Sequence, residues 1–153
     1  MRFLFAVVPR PVDFALDSAV RLLTSALSMT IISAPNAPAA VGPYSQAVRT
    51  GNLLFCSGQI PINPASGKIE ATDVEGQAHQ VLANIKAVLA GAGLTIQNVV
   101  KSTMFLQDMG DFSKVNPIYE AGFEGHKPAR STIQVAKLPL AALVEIEVIA
   151  EFV

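Results

Sequence analysis

The chain has 153 residues, of which 51% are hydrophobic and 15% charged, and 11 basic against 12 acidic side chains give a net charge of −1. This composition excludes a disordered chain and a strongly basic nucleic-acid-binding protein, so we expect no nucleic-acid partner. A single cysteine excludes an intrachain disulfide and a multi-cysteine metal site. No apolar run reaches the roughly 18 residues that span a bilayer, so we expect no membrane partner. The low charge favours an oligomer that covers part of the domain surface.

Residues 1–28 differ from the rest because they contain three arginines and two aspartates but no lysine or glycine. Three interpretations fit this leader. The first is a mitochondrial presequence, with apolar residues at helical spacing from Val12 to Leu27. The second is a secretory signal, with a short apolar run over residues 3–8. The third is an unused upstream start before Met29. We therefore assign the folded domain to residues 29–153. The first interpretation places the protein in the mitochondrial matrix and the third in the cytoplasm.

Three short strands are predicted at the start of the domain. Ile31-Ile32 is the first candidate, and a proline-rich connection follows it. The next two strands, Ala47–Thr50 and Leu53–Ser57, flank Gly51-Asn52, which is a two-residue turn typical of hairpins. We expect the chain to leave the sheet over residues 58–64 and to turn again at residues 65–67.

Two helices are predicted. The first begins with a capping box formed by Thr72 and Glu75, continues with apolar residues at helical spacing, and ends at Gly91 and Gly93. The second is capped by Asp111 and runs to about Phe123. Its Pro117 fits a helix only in the first turn.

The last three strands are predicted over residues 99–106, 131–135 and 144–150. The resulting order, β-β-β-α-β-α-β-β, indicates an α+β fold with both helices on one face of a single sheet. The other face then needs a partner. In the last strand, strict alternation places Glu145 and Glu147 on the same face.

Few residues suggest chemistry when they are taken singly. Cys56 lies in an apolar strand and is expected to be a buried structural thiol. His79 is interpreted as an exposed helical residue, and His126 lies in a loop without neighbouring ligands, so we expect no metal. Tyr44 is a loop aromatic for which packing is the simplest role.

Arg130 is more informative, because it follows Pro128 in an extended segment at the start of a strand. A guanidinium group there suits a carboxylate ligand. The alternative is an ion pair with Glu145 or Glu147. Glu145 itself opens the last strand, where an exposed face residue is the simplest interpretation.

Several motifs together resemble the RidA/YjgF family. Gly42-Pro43-Tyr44-Ser45-Gln46-Ala47 and Ser57-Gly58-Gln59-Ile60-Pro61 are similar to its N-terminal half. Pro128-Ala129-Arg130-Ser131, Val135-Ala136-Lys137-Leu138-Pro139 and Ile146-Glu147-Val148-Ile149-Ala150 are similar to its C-terminal signature. The motifs agree in order and spacing, and the resemblance extends over residues 31–152.

The resemblance implies a chorismate-mutase-like α+β protomer and a homotrimer with sites in the clefts between subunits. It implies hydrolytic deamination of reactive enamine and imine intermediates, such as 2-aminoacrylate and 2-aminocrotonate, to 2-oxo acids and ammonia without a metal or organic cofactor. Such metabolites arise from pyridoxal-phosphate-dependent dehydratases. Two alternatives are open: a ribonuclease, and a non-enzymatic ligand-binding or chaperone-like regulator.

The resemblance also implies roles for individual residues. Arg130 would bind the substrate carboxylate, and Glu145 would orient the attacking water and move its proton. The remaining substrate-binding residues are Tyr44, Ser57, the backbone of Gly58, Asn116 and Thr132. Thr132 stands where many members carry cysteine, and its hydroxyl can donate a hydrogen bond in place of the thiol.

Overall fold

The fold is a six-stranded mixed sheet with two helices on one face, seen in a computed structural model that describes residues 29–153. The predicted α+β class is therefore confirmed, and the predictions for the leader lie outside the described residues. The strands and helices in chain order are β1 (Met29–Ile32), β2 (Ala47–Thr50), β3 (Leu53–Gln59), β4 (Ile62–Asn63), β5 (Lys68–Ile69), α1 (Val74–Gly91), β6 (Val99–Leu106), α2 (Phe112–Gly122), β7 (Ala129–Gln134) and β8 (Val144–Glu151).

The main sheet has the order β1-β2-β3-β8-β6-β7. All neighbours are antiparallel except β6 and β7, which are parallel because helix α2 provides the crossover between them. The predicted hairpin is confirmed: β2 and β3 pair, and Gly51 adopts the left-handed conformation with φ of 57° that such a turn requires.

Strand β3 is longer than the sequence predicted. The chain does not leave the sheet at Gly58, because β3 continues to Gln59, which pairs with Ile146 of β8 after an irregularity that follows Cys56. Beyond it, β4 and β5 form a small separate hairpin that the sequence analysis missed. The predicted turn at residues 65–67 connects these two strands.

The capping box predicted for α1 is wrong. The N-cap is Asp73, whose carboxylate accepts a 2.8 Å hydrogen bond from the amide of Gly76. Thr72 and Asp73 are both good capping residues, and the aspartate takes the position, so Glu75 makes no reciprocal bond. The predicted end of the helix is confirmed, because Gly93 follows it with φ of 75°.

Helix α2 begins after Asp111, as predicted, but the side chain of Asp111 makes no capping hydrogen bond and instead pairs with Lys114. Pro117 lies inside the helix, beyond the first turn. It removes one backbone N–H from the helix, and the burial of Val115 and Tyr119 against the core holds the helix in place. In residues 29–153, neither helix is long and apolar enough to cross a bilayer.

The open face of the sheet exposes apolar side chains. Register pairs Val48 with Phe55 and Phe55 with Ile149, which forms an apolar row across three strands. Phe55 and Ile133 keep 43% and 45% of their surface exposed. A single chain thus leaves unburied the face for which the sequence analysis predicted a partner.

Candidate active site

A cavity of about 600 Å³ opens beside the last strand, where β8 begins. Four of the predicted site residues line it: Tyr44, Ser57, Gly58 and Glu145. The segment before β2 contributes the tyrosine, β3 contributes the serine and the glycine, and β8 contributes the glutamate. The sequence analysis did not select other residues that line the cavity, among them Gln46, Ile60 and Leu140.

Glu145 lies directly against the backbone of Gly58. A Cβ atom at position 58 would lie 2.9 Å from Cδ of Glu145 and would overlap its Oε1. A larger residue here would displace the carboxyl group from its present position, which gives Gly58 a steric role in addition to its backbone groups. The chain thus brings these two predicted residues together at one point of the cavity wall.

The environment of Glu145 raises the pKa of its carboxyl group. Burial is the main cause, because it disfavours the charged form, and the negative charge of Glu147 adds to it. The expectation of an exposed face residue is wrong for Glu145, which is half-buried, while Glu147 is exposed. A carboxyl group with a raised pKa is a stronger base once it is ionised, which favours proton transfer from water.

Ser57 and Tyr44 present hydroxyl groups at the cavity. The Ser57 hydroxyl donates a 2.6 Å hydrogen bond to the carbonyl of Ser45, so its lone pairs stay available as acceptors. The Tyr44 hydroxyl accepts a bond from the amide of Val41 and keeps its own proton to donate. Tyr44 is 52% exposed, so packing does not account for its position.

Three buried amide side chains hold the cavity wall. Gln46 bonds both backbone groups of Ala34. On α1, Gln77 accepts a 2.7 Å bond from the amide of Leu143, and Asn84 donates to the carbonyls of Ile60 and Ile62 at 3.0 and 2.9 Å. None of the three was predicted, although for Gln77 and Asn84 a polar residue at an apolar position of a helix is a usable signal.

Arg130 lies on the other side of the sheet, facing α2. Its Nη2 donates a 2.9 Å hydrogen bond to Oδ1 of Asn116, and its Cζ lies 4.5 Å from the ring centroid of Tyr119. Within residues 29–153, no carboxylate lies in ion-pair distance of Arg130. The alternative that paired Arg130 with Glu145 or Glu147 is therefore wrong, because those carboxylates point to the opposite face.

Thr132 occupies the next position on the same face of β7 as Arg130. Its Oγ1 is buried and has no hydrogen-bond partner in the described part of the chain. Buried hydroxyl groups are nearly always hydrogen-bonded, so this one needs a partner from outside the chain. Arg130 and Asn116 line a second concavity of about 400 Å³, with Tyr119 at its wall.

The remaining candidates have structural roles. Cys56 is buried, as predicted, and burial raises the pKa of its thiol to about 12. His79 is exposed on α1, as predicted. A ring nitrogen of His126 lies 2.6 Å from the carbonyl of Val99, which fixes the loop before β7. No group of three metal-ligating side chains occurs in residues 29–153.

The predicted site residues thus form two groups on opposite faces of the sheet. Tyr44, Ser57, Gly58 and Glu145 form the first, and Asn116, Arg130 and Thr132 form the second. One chain supplies the guanidinium group of Arg130 and the half-buried carboxyl group of Glu145, but it does not bring them to the same cavity.

The chain is similar to known proteins over most of its length. A family model described as endoribonuclease L-PSP matches residues 34–152. The chain is 50% identical over 122 residues to a 2-iminobutanoate/2-iminopropanoate deaminase of Escherichia coli, covering 78% of this chain and 94% of the relative. It is 49% identical to a RutC family protein of Pyrococcus horikoshii, covering 78% and 95%. The crystal structure of Escherichia coli TdcF with bound serine superposes with a TM-score of 0.77 at 43% identity, covering 81% and 99%.

Proposed function

Because the chain belongs to the endoribonuclease L-PSP family, which is the RidA/YjgF family, we propose that it hydrolyses 2-imino acids and their enamine tautomers to 2-oxo acids and ammonia. The observation that carries the proposal is the half-buried carboxyl group of Glu145, with its raised pKa, at the wall of a cavity. The deaminase from Escherichia coli supports it by its similarity, and the serine bound to TdcF supports a small amino-acid-like ligand.

Glu145 performs the proton transfers in this proposal. For an enamine, its protonated form delivers a proton to C3, which yields the imine. The carboxylate then takes a proton from water as the water oxygen adds to C2, forming a carbinolamine. Glu145 returns that proton to nitrogen, and the C2–N bond breaks with release of ammonia. The C2 hydroxyl gives its proton to the carboxylate of Glu145 and becomes the carbonyl of the 2-oxo acid, which restores the protonated carboxyl group. One water is consumed for each ammonia released.

Arg130 binds the substrate carboxylate. Its guanidinium has five N–H donors, of which Asn116 accepts one, so enough remain for a two-point contact with a carboxylate. The buried hydroxyl of Thr132 gains a partner when the ligand is present. Tyr44 and Ser57 contact the substrate from the side of Glu145.

The two groups of residues meet between subunits of a homotrimer. Within one chain they lie on opposite faces of the sheet, so Arg130 of one subunit would complete the cavity that holds Glu145 of the next. The apolar row formed by Val48, Phe55 and Ile149 supports burial of the open face in such an assembly. The cavity in each chain is then half of a complete site.

A coupled assay tests the proposed reaction. A dehydratase generates 2-aminoacrylate from serine or 2-aminocrotonate from threonine, and added semicarbazide traps the imine that is not hydrolysed. We expect less semicarbazone with the wild-type protein and no such decrease with Arg130→Ala, because truncation of one partner of a buried charge pair costs about 2–5 kcal/mol.

Lys86→Ala is the matched control for charge, since Lys86 pairs with Glu124 on the helical side. It should hydrolyse imines like the wild type. Equal trapping with and without folded wild-type protein contradicts the proposal. Binding of 2-oxobutanoate without hydrolysis would then support the regulator, and cleavage of RNA that survives Glu145→Gln would support the ribonuclease.

A further inference from the structure

The aromatic ring beneath Arg130 is itself fixed at two points. The hydroxyl of Tyr119 lies 2.7 Å from Oγ of Ser102, and this contact is buried. On its other side, the Tyr119 ring stacks on Phe123 with a centroid distance of 4.1 Å and an interplanar angle of 23°. Tyr119 keeps 6% of its surface exposed and Ser102 none. The ring therefore has one orientation available.

Strand register connects this ring to the arginine that lies above it. Ser102 on β6 is the direct partner of Arg130 on β7. The guanidinium group of Arg130 thus lies over the Tyr119 ring, and the Tyr119 hydroxyl contacts the Ser102 hydroxyl. Ser102 in turn is the strand partner of Arg130. A guanidinium group over an aromatic face is attracted by the negative charge density of that face. Here the face cannot rotate away from it.

We propose that Tyr119 is a positioning residue of Arg130, which acts together with the hydrogen bond to Asn116, and that Ser102 holds Tyr119 in register, so that the arginine is oriented before a carboxylate arrives. The identity of the ligand in this inference rests on the proposed function. The orientation of the Arg130 side chain in the free protein does not. A fixed guanidinium loses little rotational freedom on binding, so these two residues set carboxylate affinity without touching the ligand.

The Tyr119 hydroxyl has no part in proton transfer. It is buried against Ser102, and burial raises the pKa of the phenol, an effect that the Ser102 hydrogen bond and the charge of Arg130 reduce. Ser102 also gives the sequence signal that the analysis missed: it is a small polar residue at an inward position of an alternating strand. Its hydroxyl needed a specific partner there.

The first experiment measures the orientation of Arg130 in the free protein. With isotope-labelled arginine, NMR order parameters of the side-chain Nε–H groups report their mobility. We expect a rigid Arg130 in the wild type and a value below about 0.6 in Tyr119→Leu. Arg49 is the internal reference, since it stacks on Phe152 at 3.8 Å and should not change. An unchanged Arg130 in Tyr119→Leu overturns the inference, whatever the enzyme does.

The second experiment measures inhibition by 2-oxobutanoate and by its uncharged methyl ester. We expect Tyr119→Leu to weaken binding of the acid about tenfold, which is the size of a cation–π contact. Binding of the ester should be unchanged. Ser102→Ala and Tyr119→Phe remove the same hydrogen bond, so the double variant should be no weaker than either single variant. Ser102→Thr keeps the hydroxyl and should restore affinity.

Val115→Ala is the control for damage to the core, because Val115 is fully buried on α2 but outside the stack of rings. It should lower stability and keep the ratio of acid to ester affinity. If it changes that ratio as Tyr119→Leu does, the role of Tyr119 is only structural and the inference fails. If the wild type neither binds 2-oxobutanoate nor hydrolyses imines, the proposed function fails, and the order parameters still decide the orientation of Arg130.

Discussion

The carboxyl group of Glu145 lies against the backbone of Gly58, so closely that a single methyl group at position 58 would overlap it. Gly58→Ala should therefore move Glu145 and lower kcat by about 100-fold, because displacement of a reacting group by about 1 Å has an effect of that size. Steady-state kinetics together with a thermal melt distinguish loss of activity from loss of folding.

Gly93→Ala is the control for this substitution. Gly93 has φ of 75° and open space around it, so the substitution strains the backbone without touching the cavity. It should lower the melting temperature and leave kcat unchanged. If Gly58→Ala retains full activity, Glu145 is not the proton-transferring group. The double variant Gly58→Ala/Glu145→Asp, with its shorter acid, should recover part of the loss.

The pH dependence of activity should report the environment of Glu145. Because burial and Glu147 raise its pKa, the acid limb of kcat/KM should lie above the range of an ordinary glutamate. Glu147→Gln removes a negative charge and should shift that limb to lower pH. Glu151→Gln changes a carboxylate on the same face further along β8 and should leave the limb in place.

The stability of the fold should also depend on pH through Glu145, because ionisation of its half-buried carboxyl group destabilises the folded state. A raised pKa in the folded state means that the stabilising contribution of protonated Glu145 is complete below the ordinary glutamate pKa and is lost as the pH rises through the raised value. Glutamine stays neutral. Glu145→Gln should therefore melt at a slightly higher temperature than the wild type at pH 8 and at the same temperature at pH 4. A lower melting temperature at pH 8 would contradict the assigned environment.

Mixed assemblies should test whether the two groups of residues meet between subunits. In the proposed trimer, Arg130→Ala and Glu145→Gln subunits should each be inactive, but a trimer that contains both kinds should have one complete site. After equal amounts are unfolded and refolded together, random assembly gives about a quarter of wild-type activity. The same mixture without refolding is the control. If no activity is recovered, Arg130 and Glu145 do not act together in a site between two subunits.

Cys56 should be unreactive in the native protein. Its thiol pKa of about 12 leaves about a thousandfold less thiolate at pH 8 than an unperturbed thiol of pKa 9.0 would have. Alkylation followed by mass spectrometry should be slow without denaturant and fast with it. Native alkylation at the rate of the denatured chain would show that the strand opens readily.

Most of the fold could be predicted from the sequence, because the signals for its helices and strands lie within a few neighbouring residues. The hairpin at Gly51 and strand β6 were found from turn chemistry and alternation alone. The cap at Asp73 was missed because two adjacent residues were equally able to form it. The continuation of β3 beyond Gly58 was missed because it depends on the pairing of Gln59 with Ile146 of β8, which is distant in the chain.

The site was predicted less completely, for a related reason. A resemblance supplied Arg130 and Glu145, but only the sheet register places them on opposite faces. One of the two alternatives for Arg130 was an ion pair with a glutamate on β8, but its hydrogen-bond partner in the chain is Asn116 on the preceding helix. Tyr119 was not among the predicted site residues, since its contact with the guanidinium group depends on the crossover between β6 and β7.

Gln77 accepts a hydrogen bond from Leu143 and Asn84 donates to Ile60 and Ile62, so segments around the cavity are connected to one helix, and this has a consequence for local unfolding. The amide of Leu143 lies in a loop, yet its proton is bonded to a side chain of α1 and can exchange with solvent only when loop and helix separate. Segments that open together form one cooperative unit. We therefore expect the segment around Leu143, which leads into the strand of Glu145, to open together with α1.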